Sequence, residues 1–191
     1  MNGIMMKHSG TVEIKTEHLI LRPFVMEDAE TAYRNWCGDP RVTEFLRWKT
    51  HDSVSVTEVI MKFWIDCYER NNFYQWAICL PDGENIGTIS TVDIFENIST
   101  LHIGFALGSR WWNRGYMSEA LRAVIDYFFE TVGAGRVESQ YDPENPASGR
   151  VMEKCGMVKE GVLRKRDWSN RGVVDAVMCS VLREDWEASR R

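Results

Sequence analysis

Between residues 74 and 108 three apolar runs, YQWAICL, NIGTISTVDIF and TLHIGFALG, follow one another with only PDGE and ENIS between them. Both connections are rich in turn formers, so the runs are predicted to form an antiparallel meander. In the third run Leu101, Ile103, Phe105 and Leu107 point one way, and His102, Gly104, Ala106 and Gly108 the other. The second face is nearly bare. Such a face lets either a helix or a ligand approach the backbone closely, and on this strand alone close packing is the preferred reading.

The meander leads into RWWNRGYMSEALRAVIDYFFE, residues 110–130. Met117, Ala120, Leu121, Val124, Ile125 and Phe128 recur at the spacing of an amphipathic helix that starts within 113–118. A helix start leaves unpaired N–H groups and about half a positive charge. With Gly115 before it, Arg114 beside it and no acid until Glu119, the junction suits an anion such as a phosphate. A tight strand-to-helix turn that needs Gly115 only for its backbone angles explains the segment equally well. The segment is neither a Walker loop nor a GxGxxG fingerprint.

The rest of the chain alternates in the same way. LILRPF (19–24) reads as a strand, and MEDAETAYRNW as a helix with Ala29, Ala32, Tyr33 and Trp36 on one stripe. DPRVTEFLRWKTHD reads as a loop. SVSVTEVIMKFWIDCYERN reads as a helix facing inward with Val56, Val59, Ile60, Phe63, Trp64 and Cys67. GRVESQY (135–141) is a predicted strand. DPENPASGRVMEKCG carries a helix signal, with Asn145 as cap, Pro146 in the first turn and Gly156 past the end. MVKEGVLRKRDW and VVDAVMCSVL form a closing hairpin through SNRG.

At 191 residues and 44% hydrophobic content, without spacers or repeats, the chain is expected to form one domain with a sizeable core. Its five cysteines are odd in number and never fall into a CxxC or Cys/His ligand spacing, which points to reduced thiols in a cytoplasm. The first residues lack a secretory apolar run, and nowhere do enough apolar residues stand together to span a membrane. A net charge of −5 argues against a phosphate-backbone grip on nucleic acid and favours a cationic partner.

The element order, together with WWNRGYMSEAL, NPASGRVMEKCGMVKEGVLR and a hairpin carrying Asp175, resembles the GNAT superfamily of acetyl-CoA-dependent N-acetyltransferases. Within it the chain is similar to the Rim-type ribosomal-protein N-terminal acetyltransferases, over about residues 16–186. The resemblance implies an α+β (α/β) GNAT acyl-CoA N-acyltransferase fold: a mostly antiparallel mixed sheet of about seven strands flanked by about four helices. Residues 16–191 are then the single domain, behind a flexible N-terminal extension of residues 1–15.

The resemblance also places a site. Trp112, Asn113, Arg114, Gly115, Tyr116 and Met117 match the loop that holds the pyrophosphate of acetyl-CoA, and Ser118 follows it. Met117 departs from the small final residue of that loop, which is tolerable if it turns into the helix's apolar face, because backbone N–H groups supply the grip. Pantetheine is implied beside the third meander strand, at Phe105, Ala106 and Leu107, which overturns the preference for plain packing. Asn145, most simply a cap, could also touch the cofactor. Met152 stands where many members have a proton-donating tyrosine, and the Rim-type resemblance puts that role on Ser148. Asp167 matches the Rim-type base, one methylene shorter than the expected glutamate, so that a water can stand between it and the amine. Without the resemblance Ser148 reads as a local hydrogen-bonding residue and Asp167 as a turn carboxylate. Trp48 and Trp168 are expected at the substrate mouth, and Asp175 in a structural or substrate-orienting role.

The activity implied is acetyl transfer from acetyl-CoA, without a metal, to a primary amine, first the N-terminal α-amine of a protein or peptide. A polyamine, aminoglycoside or amino acid is the alternative acceptor. A non-catalytic acyl-CoA-binding module is the alternative class, against which Ser148 and Asp167 speak. The partners expected are the amine substrate alone, with no nucleic acid and no membrane, and homodimerisation is left open.

Overall fold

The computed structural model of the chain describes residues 6–190. Its strands are β1 (Ile14–Lys15), β2 (Ile20–Arg22), β3 (Gln75–Cys79), β4 (Asn85–Phe95), β5 (Thr100–Leu107), β6 (Arg136–Tyr141), β7 (Val158–Ser169) and β8 (Gly172–Leu182). Its α-helices are α1 (Asp28–Ala32), α2 (Pro40–Thr43), α3 (Val54–Cys67), α4 (Tyr116–Tyr127), α5 (Pro146–Lys154) and α6 (Arg183–Ser189). The strands form one sheet in the order β1, β2, β3, β4, β5, β6, β8, β7.

The predicted meander is β3 to β5, antiparallel throughout. Among the described residues the one parallel neighbour pair is β5 with β6, and it lasts for three residue pairs, Thr100 with Arg136, Leu101 with Val137 and His102 with Glu138. Ser139 Oγ donates to Ile103 O at 2.8 Å where the two strands part. Beyond that point Phe105, Ala106 and Leu107, still paired with β4 on one side, border a cavity where β6 no longer pairs with them.

The two faces of β5 serve two layers. Leu101, Ile103 and Leu107 are buried with Ala120, Leu121, Val124 and Ile125 of α4. On the bare face Ala106 is buried in a second cluster with Phe24, Ala32, Trp36 and Met61. A Cβ at Gly108 would lie 2.5 Å from Asn35 O and 2.8 Å from the Trp111 ring, so that close approach admits only glycine.

Three elements exceed the expected count, and each is too short to show a period. β1 has two residues. α2 falls in the predicted loop and is started by Asp39, whose side chain accepts from Arg41 N–H, and by Pro40 at the first position. α6 follows β8 directly. The segment expected as a flexible extension is, from residue 6 on, seated against the sheet, and residues 1–5 lie outside the described residues. Met6 is buried in the core, Tyr127 donates to Gly10 O at 2.7 Å and Trp76 Nε1 to Val12 O at 2.7 Å.

The buried face of α3 also differs from its prediction. Thr57, Met61 and Cys67 are buried, whereas Val56, Val59, Ile60 and Phe63 are exposed. Tertiary contacts choose the face: Met61 packs in the layer with Trp36, and Thr57 is hydrogen-bonded to His51 Nδ1 at 2.8 Å.

Candidate active site

The N-terminus of α4, β5 and the start of α5 converge on a cavity of about 520 Å³. Gly115 precedes α4 with φ +88°, a conformation open to glycine and costly for a side chain. Among the described residues no side chain caps α4, and its first bond runs from Glu119 N–H to Gly115 O at 3.0 Å. The amides of Tyr116, Met117 and Ser118 are thereby left for a ligand at a wall of the cavity those residues line. A Cβ on Gly115 would meet nothing within 4 Å, so the space above the turn is open. These features fit a pyrophosphate held by backbone amides.

Met117 is buried in the core, turned into the helix's apolar face as its departure from the loop pattern requires. Arg114 lies in an adjoining hollow with Gly115, Tyr116 and Ser118. The first acid of α4, Glu119, is tied up by local hydrogen bonds. Burial alone would raise its pKa, but bonds from Thr16 and from the amide and ring of His18 outweigh it and hold the carboxyl below its ordinary range. Trp112 is half-exposed at the cavity wall, and its Nε1 donates to Leu107 O at 2.7 Å.

α5 brings Asn145 and Ser148 to the same cavity. Asn145 caps the helix, accepting from Ser148 N–H at 3.3 Å, while its Nδ2 donates to Ser148 Oγ at 3.0 Å. Because Asn145 fills the acceptor side of that oxygen, and no acceptor for the hydroxyl proton is found among the described residues, the proton is available to the cavity. Phe105, Ala106, Leu107 and Asn113 complete the expected cofactor residues on the lining.

The hairpin residues stand apart from that lining. Asp167 accepts from Arg47 Nε at 2.7 Å, Trp168 N–H at 2.8 Å and Gln140 Nε2 at 2.5 Å. Burial opposes its ionisation, yet these bonds, led by that from Arg47, prevail and hold the carboxyl below the usual range. Trp168 is exposed, with the Arg47 guanidinium 4.7 Å over its ring. Trp48 is half-buried against Trp36, ring centroids 6.0 Å apart. Asp175 accepts from Lys165 N–H at 2.8 Å, where Lys165 has φ +51° in an irregularity of β7.

Since Asp167 is held in its charged form, its contribution to stability is complete at neutral pH and is lost as pH falls through its depressed pKa. Asp167→Asn is expected to lower the melting temperature by about 2–4 °C at pH 7, discounted for solvent screening. The difference should shrink as melts are repeated below the carboxylate range. A pH-independent difference would assign the loss to packing.

Sequence reasoning missed Phe45, Leu46 and Glu144, which also line the cavity, and Arg47, Asn170 and Arg171, which tie the hairpin to its rim. Apolar side chains inside the loop DPRVTEFLRWKTHD were the one signal for the first two.

Known proteins resemble the chain along most of its length. The family model described as acetyltransferase (GNAT) domain matches residues 18–158. An uncharacterized N-acetyltransferase, p20, of Bacillus licheniformis is 29% identical over 172 residues, 90% of this chain and 96% of that protein. The [ribosomal protein uS5]-alanine N-acetyltransferase of Escherichia coli is 30% identical over 128 residues, 64% of each chain. The crystal structure of a GNAT-family acetyltransferase from Bacillus anthracis superposes with a TM-score of 0.79 at 26% identity, covering 91% of this chain and 99% of that one. The open turn at Gly115, the fork between β5 and β6 and these likenesses agree: the chain belongs to the GNAT family of acetyl-CoA-dependent acetyltransferases.

Proposed function

We propose that the protein acetylates the N-terminal α-amine of a protein or peptide. The observation that carries this reading is the triply bonded Asp167. A carboxylate that takes hydrogen bonds from Arg47, Gln140 and an amide is a weak base. It suits an amine that is already partly neutral. A terminal α-amine has a pKa of about 8 and a lysine side chain one of about 10.4, so at neutral pH roughly a hundredfold more of the former is ready to react. The alanine acetyltransferase of Escherichia coli, acting on a ribosomal protein by its name, is a relative consistent with a protein acceptor.

In this reading the amides of Tyr116, Met117 and Ser118 hold the diphosphate of acetyl-CoA, and the free edge at Phe105, Ala106 and Leu107 pairs with its pantetheine arm. Ser148 donates its hydroxyl proton to the departing sulfur, held in position by Asn145 Nδ2. Asp167 takes up the amine proton through a water, its second oxygen steadied by Gln140. The five unpaired cysteines agree with a cytoplasmic setting.

Release of free thiol from acetyl-CoA tests the reaction, with an Ala-initiated peptide, the same peptide blocked at its α-amine but carrying a lysine, and spermidine in competition. The Ala-initiated peptide is expected to react fastest. Faster reaction of spermidine or of the blocked peptide would overturn the acceptor and leave the cofactor assignment standing.

A further inference from the structure

The tip of the β7–β8 hairpin reaches across the chain to two segments that border the cavity. Asn170 donates its N–H to Leu46 O at 3.1 Å and its Nδ2 to Thr43 O and Trp48 O, each at 2.8 Å. One side chain thus pins the loop after α2. Its neighbour Arg171 does the same by charge. The guanidinium forms ion pairs with Asp142 at 3.5 Å, with Glu44 at 3.8 Å and, at the closest approach, with Glu144, and it lies 5.2 Å over the Phe45 ring.

Phe45 and Glu144 line the same cavity as Ser148. A single guanidinium therefore holds an aromatic ring and three carboxylates, of which Phe45 and Glu144 line that cavity. The cations of α5, Arg150 and Lys154, line the cavity too, and among the described residues neither forms an ion pair with Glu144. Two further cations near this rim are already paired, Arg41 with Asp39 at 2.8 Å and Arg47 with Asp167 at 2.7 Å.

We propose that Arg171 is a positioning and specificity residue of the acceptor mouth: it holds Phe45 and Glu144 in the wall and occupies the place that a small polycation would otherwise take. Carboxylates around an aromatic face are the chemistry that recognises an ammonium or guanidinium group. With Arg171 seated on them, these carboxylates and the ring face are already engaged and offer a polyamine less than they otherwise would, while a peptide, bringing one α-amine and an uncharged first side chain, meets the Phe45 and Leu46 wall. This inference rests on the acceptor reading above and adds the device that enforces it.

The test measures binding, so that it stands apart from turnover. Spermidine and an Ala-initiated peptide are titrated calorimetrically into the CoA-loaded protein, as wild type, Arg171→Ala, Arg171→Lys and Glu144→Gln. Arg171→Ala should tighten spermidine and weaken the peptide by at least about threefold each, with CoA affinity within about twofold of wild type. Arg171→Lys should return spermidine towards the wild-type value, and high salt should shrink the gain. Glu144→Gln should weaken spermidine, which keeps the test decisive if Arg171→Ala does not fold. An unchanged spermidine-to-peptide ratio, or a proportional loss of both amines and CoA, would overturn the assignment. Failure of the peptide to bind the wild-type CoA complex, or spermidine binding to wild type as tightly as to Arg171→Ala, would overturn it too, and thiol release remains the separate measure of acetyl transfer.

Discussion

Gly115→Val is expected to weaken acetyl-CoA binding by at least about 30-fold while the protein remains folded. Two effects add. At φ +88° a β-branched residue is strained by roughly 1–2 kcal/mol or more, so the turn will relax toward negative φ and swing the amides of Tyr116 to Ser118 off their common focus. The side chain also projects into the space above the turn, where a Cβ meets no described atom within 4 Å and where the proposed diphosphate would lie. Because that space is empty, the fold itself meets no clash. Gly115→Ala should give an intermediate loss, from strain with a smaller obstruction. Calorimetry with acetyl-CoA, beside a melt to verify folding, measures both; affinity within threefold of wild type in a folded Gly115→Val protein would remove this turn from the site.

The second large effect is expected in turnover. Ser148→Ala should lower kcat by about 10²–10³-fold, the usual worth of a positioned proton donor, and leave the dissociation constant of acetyl-CoA nearly unchanged. The reason lies in the local bonding. Asn145 Nδ2 donates to Ser148 Oγ, so removing the oxygen orphans a donor at the cavity surface, where water can satisfy it, and the cap to Ser148 N–H survives. The fold and the cofactor wall therefore persist while the proton is lost. A Ser148→Cys variant, which keeps a weaker donor, should fall between. A loss under threefold with Ser148→Ala would assign the proton to another group.

Much of this architecture was legible because local periods and turn residues govern it. The apolar stripe of α4, the PDGE and ENIS turns and the Asn145–Pro146 start of α5 each act within a few residues, and each is found where it was expected. The face of α3 was not legible, because apolar side chains lie on both sides of it and only the packing of Met61 and Thr57 selects one. Nor was the state of Asp167. Its partner Arg47 is 120 residues away in sequence, and Gln140 is 27 away, so nothing near RDWSN announces a carboxylate held by three donors. The same distance hides Asn170 and Arg171, which read as turn residues and prove to anchor the cavity rim. Contacts that close a site across the chain carry no local period, and the sequence shows them only once the sheet order is known.

The parting of β5 from β6 after three residue pairs has a mechanical consequence. The sheet behaves as a zipper fastened at one end, with β1 to β5 on one flank and β6 to β8 on the other. A rod-like molecule inserted in the open teeth, bonding to the bare edge of β5, would continue the ladder that the protein leaves unfinished. Affinity for such a molecule and rigidity of the sheet are then one quantity seen from two sides, since whatever binds the folded form alone also stabilises it. A fully zipped sheet would be the stiffer scaffold, and it would offer no such edge.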